Sequence, residues 1–306
     1  MGKFFAIALD IGGTSIKSAM VSSKGEIIDR TQQVTFVDSK GTAETILATF
    51  AQPMAALMEI ARKREIKISG IGIGMPGPLD SEKGISLIKG VDKYESIYGV
   101  NLRNEFRKRL NLPVEFPILF EIDAWSFVRG EAWLGAGRGY NRIIGLTLGT
   151  GFGSGFMKND ELVDTGPGIP PLAWIGGIQY GDGILVDRVS RRGIIRRYNE
   201  LHGVSAGDVD VKDIAERAKQ GDSDAIKVFE ETGEILGKML KTPAEQFRAE
   251  CIIVGGQIAK SYSLFVAPLK NALQLPVIVK QAKNIDLSGV FGAARLLFKN
   301  VLIRIN

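Results

Sequence analysis

Ala8-Leu9-Asp10-Ile11-Gly12-Gly13-Thr14-Ser15-Ile16-Lys17 is the stretch whose reading decides the fold. The apolar run from Phe4 to Leu9 predicts a buried strand, and Ile16 to Val21 predicts its return. Between them stand an acid, two glycines and a hydroxyl. Glycines at a strand–turn–strand tip let backbone N–H groups approach an anion closely, because no Cβ intervenes. Asp10, at the strand end, is placed to hold a hydrated cation beside that anion. A phosphate-and-magnesium arrangement is one reading; an ordinary hairpin with a Gly-rich turn is the other.

The pattern then recurs about half a chain later. Arg142 to Leu148 predicts a strand, Gly149-Thr150-Gly151-Phe152-Gly153-Ser154-Gly155 a Gly-rich turn, and Phe156 the start of the return strand. A repeated unit of this kind predicts two similar domains, each offering one hairpin to a shared ligand.

Between the hairpins, Ile27 to Val37 predicts a third strand and Thr42 to Arg64 a long amphipathic helix. Ile68 to Met75 is a strand alternating Ile and Gly that breaks into a Pro-Gly loop ending at Asp80. Its glycines clear one face for another backbone or a ligand. Asn101 to Leu110 predicts a short helix, and Leu112 to Glu121 a strand that delivers Asp123 to its end. Ala124 to Gly130 opens the next helix. Asp164 to Gly183 is a long Gly- and Pro-rich loop. Helices follow over Leu185–Leu201, Val211–Lys219 and Ser223–Arg248, with Pro243 expected to kink or split the last. Glu250–Val254 is a strand ending at Gly255-Gly256, a turn that suits a nucleotide's base and ribose. A helix over Ser261–Leu273, a strand over Val277–Lys280 and a small-residue helix over Ser288–Lys299 complete the chain.

Composition narrows the chemistry. The 306 residues are 45% hydrophobic and 24% charged, with a formal net charge of +5, which is ordinary globular composition for about two domains. The lone Cys251 excludes an intramolecular disulfide and a cysteine metal cluster. The lone His202, in a polar turn, makes a Ser–His–Asp hydrolase or a His-rich metal site a poor fit. No apolar run approaches the ~20 residues of a membrane helix, and no signal peptide is visible, so a cytoplasmic protein is expected. The cluster Arg188, Arg191, Arg192, Arg196 and Arg197 sits on an expected helix, where a solvated face is the ordinary explanation.

Asp10-Ile-Gly-Gly-Thr14, Gly72-x-Gly74-x-Pro76-Gly77-x-x-Asp80, Asp123-Ala124, Gly149-Thr-Gly-x-Gly-x-Gly155, Gly255-Gly256 and Gly292-Ala-Ala-Arg-Leu-Leu297 occur in the order and spacing of the ROK family. That family comprises repressors, open reading frames and sugar kinases. The resemblance covers nearly the whole chain; each motif alone is weak, but six in order are specific. It implies an α/β, two-domain actin-like ATPase (ribonuclease H-like) fold with an interdomain cleft. The expected division is residues 1–122 plus about 286–306, and residues 123–285. It further implies ATP and Mg²⁺ as cofactors and a small sugar-like substrate. Asp10 would position Mg²⁺ through water. Gly12, Gly13, Thr14 and Lys17, with Gly149, Thr150 and Gly151, would face the phosphates. Gly255 and Gly256 would line the adenosine end. Asp123 would be the general base that takes the proton from the sugar hydroxyl, with Gly77 and Asp187 also at the substrate. A helix N-cap is the other role open to Asp123.

The chain departs from the family pattern on the sugar side. Ile122 stands where the family's sugar kinases usually carry Asn, whose amide binds sugar hydroxyls. The usual Glu-x-Gly-His segment is replaced by the Pro170–Gly176 neighbourhood. The three-cysteine zinc motif is absent, so no zinc is expected. Asp187 is a shorter candidate for the sugar-binding Glu, or a solvated acid beside Arg188 or Arg191. Trp125, Trp174 and Tyr180 are candidates for a stacking surface, or for packing. ATP-dependent phosphorylation of a sugar or polyol hydroxyl is the leading expectation. A non-catalytic ligand-binding sensor of the same fold, or a kinase for a non-hexose acceptor, are the alternatives. Family repressors carry a helix-turn-helix module ahead of the first motif, and here only Met1 to about Phe5 precede it, so no nucleic-acid partner is expected. Family members are commonly dimers, which makes a homodimer one expected assembly.

Overall fold

The computed structural model describes residues 4–91, 93–203 and 209–303. In chain order come β1 (Phe5–Ile11), β2 (Ser15–Ser22), β3 (Gln33–Phe36), α1 (Ala43–Lys63), β4 (Ile68–Met75), β5 (Leu79–Asp80), β6 (Ile85–Ser86), α2 (Leu102–Arg109), β7 (Ile118–Ile122) and α3 (Asp123–Leu134). Then follow β8 (Arg142–Leu148), β9 (Phe152–Lys158), β10 (Glu161–Val163), β11 (Gln179–Tyr180), β12 (Gly183–Ile184), α4 (Val186–Val189), α5 (Arg191–His202), α6 (Val211–Lys219) and α7 (Ser223–Phe247). The chain ends with β13 (Cys251–Gly255), α8 (Tyr262–Leu273), β14 (Ile278–Gln281) and α9 (Ser288–Ile303).

The chain divides into two compact units. One runs to Leu134 and resumes at Leu287; the other is Gly135–Asp286. The division falls after α3, not before it as the sequence predicts. The reason is packing: Gly130 of α3 and Gly292 of α9 bring the two helix backbones together, and a Cβ on Gly292 would lie 1.7 Å from the Ser126 carbonyl oxygen.

Each unit contains a five-stranded sheet, and the two share one topology. The orders are β3-β2-β1-β4-β7 and β10-β9-β8-β13-β14. In both, a three-strand antiparallel meander is followed by two parallel strands. The repeat expected from the two Gly-rich hairpins is therefore a repeat of whole sheets.

The first sheet's faces follow from the period of a strand. Along β1, Ile7, Leu9 and Ile11 point to a core shared with Phe50, Met54 and Leu57 of α1. Ala6 and Ala8 point the other way, toward Val290, Ala293 and Leu297 of α9. Small side chains on that face let α9 come close. The glycines of β4 extend the effect: a Cβ on Gly72 would fall 2.0 Å from the Ala293 carbonyl oxygen. The cleared face thus receives a backbone, one of the two options the Ile/Gly alternation left open.

Several elements are shorter than the sequence predicts. The expected strand Ile27–Val37 makes one bridge, at Ile27, then turns and pairs only from Gln33. The expected strand Leu112–Glu121 begins only at Ile118, because the Leu112–Phe116 segment folds into a turn with Phe116 N–H donating to the Pro113 carbonyl at 3.0 Å. The second Gly-rich turn is tighter than predicted: β9 starts at Phe152, so Gly153 and Gly155 are strand residues paired with Thr147 and Gly145. Conversely, α7 continues unbroken through Pro243.

Candidate functional site

The tip of the first hairpin is closed by Gly12 N–H donating to the Ser15 carbonyl at 2.8 Å. The Gly12 carbonyl is in turn held by the Tyr94 hydroxyl at 2.5 Å. Tyr94 is fully buried, sits at φ 57°, and packs edge-on against Phe50 at 5.3 Å. Thr14 is exposed and its carbonyl accepts from Val37 N–H. Lys17 lies opposite Asp10 in the β1–β2 ladder.

Asp10 shares its face of β1 with Ala6 and Ala8, so its carboxylate meets the first turn of α9. A Cβ on Gly289 would fall 2.4 Å from the Asp10 Cγ, so only glycine leaves room for the acid there. Burial, followed by the charge of Asp123, pushes the Asp10 carboxyl up to about 7 against the opposing pull of Lys17.

Asp123 is the first residue of α3, at the end of β7. Its Oδ1 accepts from Ala124 N–H at 2.7 Å, so it takes up the helix-starting role as well as facing Asp10. Burial raises its carboxyl; the Lys93 charge and the Ala124 N–H oppose that rise. Behind it, Glu121 and Arg129 form a buried pair at 3.0 Å, and Ser126 Oγ donates to Glu121 at 2.8 Å. This network fixes the β7–α3 junction that carries Asp123.

Lys93 and Tyr94 were not among the sequence candidates. They belong to a loop between β6 and α2 with no periodicity to mark it. The side chain of Lys93 runs over the hairpin tip, its Cδ 3.9 Å from where a Cβ on Gly13 would stand. The first unit therefore brings together Asp10, Gly12, Gly13, Lys17, Lys93, Tyr94 and Asp123. Gly77, the other candidate for the substrate end, faces Ile122: a Cβ there would be 2.5 Å from Ile122 Cδ1.

The second unit repeats the hairpin with other props. Leu148 pairs with Phe152, and Gly149 N–H closes the tip on the Gly151 carbonyl at 3.0 Å. The Gly149 carbonyl accepts from Arg191 N–H at 2.8 Å, at the start of α5. The Phe152 carbonyl accepts from the Trp174 indole at 2.6 Å. Trp174 thus braces the hairpin and packs over Gly176 and Gly177. Ser154 Oγ, donating to the Ala173 carbonyl at 2.6 Å, ties the same loop to β9.

The glycines at the two tips have an unusual status. Gly90, Gly99, Gly139, Gly203 and Gly221 also have open space where a Cβ would go, but each needs glycine for its positive φ. Gly149 and Gly151 have the open space without the positive φ, and Gly13 nearly so. Among the described residues of their own unit, no neighbour calls for glycine there, and a tip without Cβ atoms leaves its backbone open to close approach. Gly256 differs: its φ of 83° and a Cβ position 2.3 Å from the Leu148 carbonyl oxygen already require glycine. Gly255 is buried at the end of β13, paired with Thr147.

Asp187, the candidate sugar-binding acid, holds Arg192 at 3.1 Å and accepts from Ile184 N–H at 3.3 Å. His202 stacks on Tyr198 and pairs with Asp224, a structural role at the end of α5. Among the described residues, no group of three or more His, Cys, Asp or Glu is gathered to hold a metal ion by protein atoms alone. Two neighbouring acids do fit Mg²⁺, which keeps most of its water and completes its shell with phosphate oxygens. No helix among the described residues is long and apolar enough to cross a membrane.

Comparison with known proteins bears on the family and the fold. The chain is 26% identical to a glucokinase of Thermotoga maritima, over 98% of this chain and 99% of that protein. A ROK family glucokinase from Streptomyces griseus, solved in complex with glucose and AMPPNP, superposes with a TM-score of 0.76 at 25% identity, covering 95% of this chain and 98% of that one. A ROK family transcriptional regulator, a homologue of the E. coli MLC protein, superposes with a TM-score of 0.81 at 17% identity, covering 98% of this chain and 80% of that one. Kinases and a regulator thus share this two-domain actin-like α/β fold, and the fold alone does not choose between them. The model of the ROK family matches residues 6–171 and 184–300, and the chain belongs to the ROK family.

Proposed function

We propose that this chain is an ATP-dependent kinase that phosphorylates a hydroxyl of a sugar or sugar-like polyol, with Asp123 as general base. The observation that carries this is the pairing of Asp123 and Asp10 beside a hairpin tip whose glycine has no demanding neighbour in its own unit. Two neighbouring acids suit a reaction in which one holds a hydrated cation and the other takes up a proton. The glucokinase names of the relatives agree with it.

Phosphoryl transfer asks for positioning and charge neutralisation. Asp123 accepts the proton of the acceptor hydroxyl. The hydroxyl oxygen bonds to the γ-phosphorus, and the bond from that phosphorus to its bridging oxygen breaks, leaving the electron pair on ADP. Asp123 then releases its proton to solvent. Backbone N–H groups at Gly13, Thr150 and Gly151 are the proposed phosphate donors, on turns closed by the Gly12 and Gly149 N–H groups, and Gly255–Gly256 the adenosine contact. Asp10 would hold Mg²⁺ through water, and the ion would supply neutralisation of the phosphate charge.

The acceptor need not be a hexose. Ile122 packs on Gly77 where an amide would reach for sugar hydroxyls, and Asp187 is engaged by Arg192. A site without buried polar partners for a hydroxyl discriminates poorly among hydroxyls. The test is ADP release with ATP, Mg²⁺ and a panel of hexoses, amino sugars, pentoses and polyols. Turnover on any member supports the kinase, and its rank order names the acceptor. Nucleotide binding with no turnover on any would favour the sensor.

A further inference from the structure

The loop between β6 and α2 is fastened to the first hairpin with more care than a connector needs. Tyr94 N–H donates to the Ser39 carbonyl at 2.6 Å, and its hydroxyl bonds the hairpin tip itself. Val91 N–H donates to Glu95 Oε1 at 2.9 Å, and Ser96 Oγ to the Gly41 carbonyl at 2.8 Å. A non-glycine residue held at φ 57° carries a strain of about 1 kcal/mol or more and persists only where its surroundings insist on it. What this fixing achieves is the placement of the preceding residue. Lys93 crosses above Gly13 on one side, and its charge acts on Asp123 on the other. Hairpin tip and acid are, on the kinase reading, the holder of the phosphoryl group and the base that frees its acceptor. A cation that reaches both lies where the group in transit passes.

We propose that Lys93 is a catalytic residue that contacts the phosphoryl group in transit and neutralises charge on its non-bridging oxygens. This rests on the kinase reading given above. The proton from the acceptor goes to Asp123, the new oxygen–phosphorus bond forms, and the electron pair of the broken bond leaves with ADP. Lysine suits the task as a compact point charge on a flexible stem. A fixed cation at developing charge acts on the transition state more than on bound ATP. Lys17, the other cation of the cluster, is set in the ladder opposite Asp10 and answers that acid.

The test compares wild type with Lys93→Met, Lys93→Arg and Asp123→Asn, on the best acceptor of the panel. Each variant is checked for folding by its thermal melt. Three quantities are measured: kcat, the KM for ATP, and the affinity for ADP with aluminium fluoride, a mimic of the phosphoryl group in flight. For Lys93→Met the expected result is a loss of about 10²–10³-fold in kcat, with the KM for ATP changed by less than about threefold. Affinity for ADP–aluminium fluoride should fall by a similar factor while AMPPNP binding is kept. Lys93→Arg should recover part of both losses. A kcat within threefold of wild type in Lys93→Met overturns the proposal, as does a loss of kcat with undiminished ADP–aluminium fluoride binding. In either case a crippled Asp123→Asn leaves the kinase reading standing. A wild-type protein that turns over no acceptor and does not bind ADP–aluminium fluoride overturns both.

Discussion

In the first hairpin the residue across the ladder from Lys17 is Asp10. In the second, the equivalent place next to the last pair holds Thr147, across from Gly153. The sheets behind these hairpins have the same strand order and the same directions. Both tips have a carbonyl held from outside the hairpin, by the Tyr94 hydroxyl in one unit and by the Arg191 N–H and Trp174 indole in the other. What differs is charge. The first hairpin is surrounded by Asp10, Asp123, Lys17 and Lys93; at the second, the charged residue that holds the tip, Arg191, does so by its main chain and pairs its side chain with Asp210. On the proposed function, the two like sheets offer two cradles for an anion, and only the first has the acids for chemistry beside it. The comparison teaches that one backbone turn can be built twice from different props, while the charge beside it is placed by residues from distant segments.

The sharpest way to break that asymmetry is Asp123→Asn. General-base catalysis contributes about 10²–10⁴-fold, so kcat should fall by about 10³-fold while AMPPNP binding persists. The amide oxygen can still accept from Ala124 N–H, so the start of α3 should survive and the melt should stay near wild type. Near-normal turnover would show that the charged hairpin is a binding device like its neutral counterpart.

Next in size is the support behind that acid. Arg129→Met leaves Glu121 buried without its cation, and breaking such a pair costs about 3–5 kcal/mol. Burial already raises the Glu121 carboxyl in the intact pair, and loss of Arg129 raises it further. A carboxyl raised in the folded state binds its proton more tightly there than in the unfolded chain. Stability therefore falls as pH rises from the unfolded value toward the folded one. The variant should regain part of its lost stability in melts as the pH is lowered toward the ordinary glutamate range. A pH-independent deficit would mean that packing of the Arg129 stem, not charge, holds the β7–α3 junction.

The second hairpin is tested by contrast with glycines that serve packing. Gly149→Ala has room for its Cβ and no left-handed φ, so the melt should not move, while ATP affinity falls about tenfold, or 1.4 kcal/mol, as phosphate is kept at a distance. Gly72→Ala should do the reverse: about 3 kcal/mol or more of stability lost through collision with the Ala293 carbonyl. If Gly149→Ala melts early with ATP affinity intact, the open tip is a fold requirement and the second cradle is not one.

How much of this was legible beforehand follows from where the signals lie. Asp10, Gly12, Gly13, Gly149 and Gly151 sit within a few residues of each other in two short stretches, and a glycine beside an acid at a strand end is a local signal. The hairpins' repetition predicted two similar domains, and the matching strand orders came only with the fold. Lys93 and Tyr94 lie far along the chain from the tip they touch, in a segment with no helix or strand period, so only the folded chain shows their proximity. Trp174 was visible as an aromatic near the site, but its work as an indole donor to Phe152 depends on a loop path that Gly and Pro permit and do not specify. The boundary after α3 was hidden because it is set by Gly130 and Gly292 meeting across two helices that are widely separated in sequence. The early end of the predicted strand at Leu112 was announced by Pro113, whose missing N–H disfavours a ladder position.

The smallest effect tests whether the props matter as the comparison claims. Tyr94→Phe removes one hydroxyl and leaves ring packing against Phe50 in place. The Gly12 carbonyl loses its donor, a loss of about 1 kcal/mol. A melt lower by about 2–4 °C should follow for a unit of this size. The functional effect should be separable from the thermal one. A loosened tip presents Gly12 and Gly13 less consistently to phosphate, so the KM for ATP should rise severalfold. Because Tyr94 also fixes the start of the Lys93 side chain, kcat should fall alongside. Trp174→Phe, which removes the indole N–H from the Phe152 carbonyl, is the matching change in the second unit. There the KM for ATP should rise with kcat unchanged, since Arg191, the charged residue at that tip, holds it through its main chain and turns its side chain to Asp210. Equal effects of the two variants on kcat would erase the distinction between a reactive cradle and a neutral one.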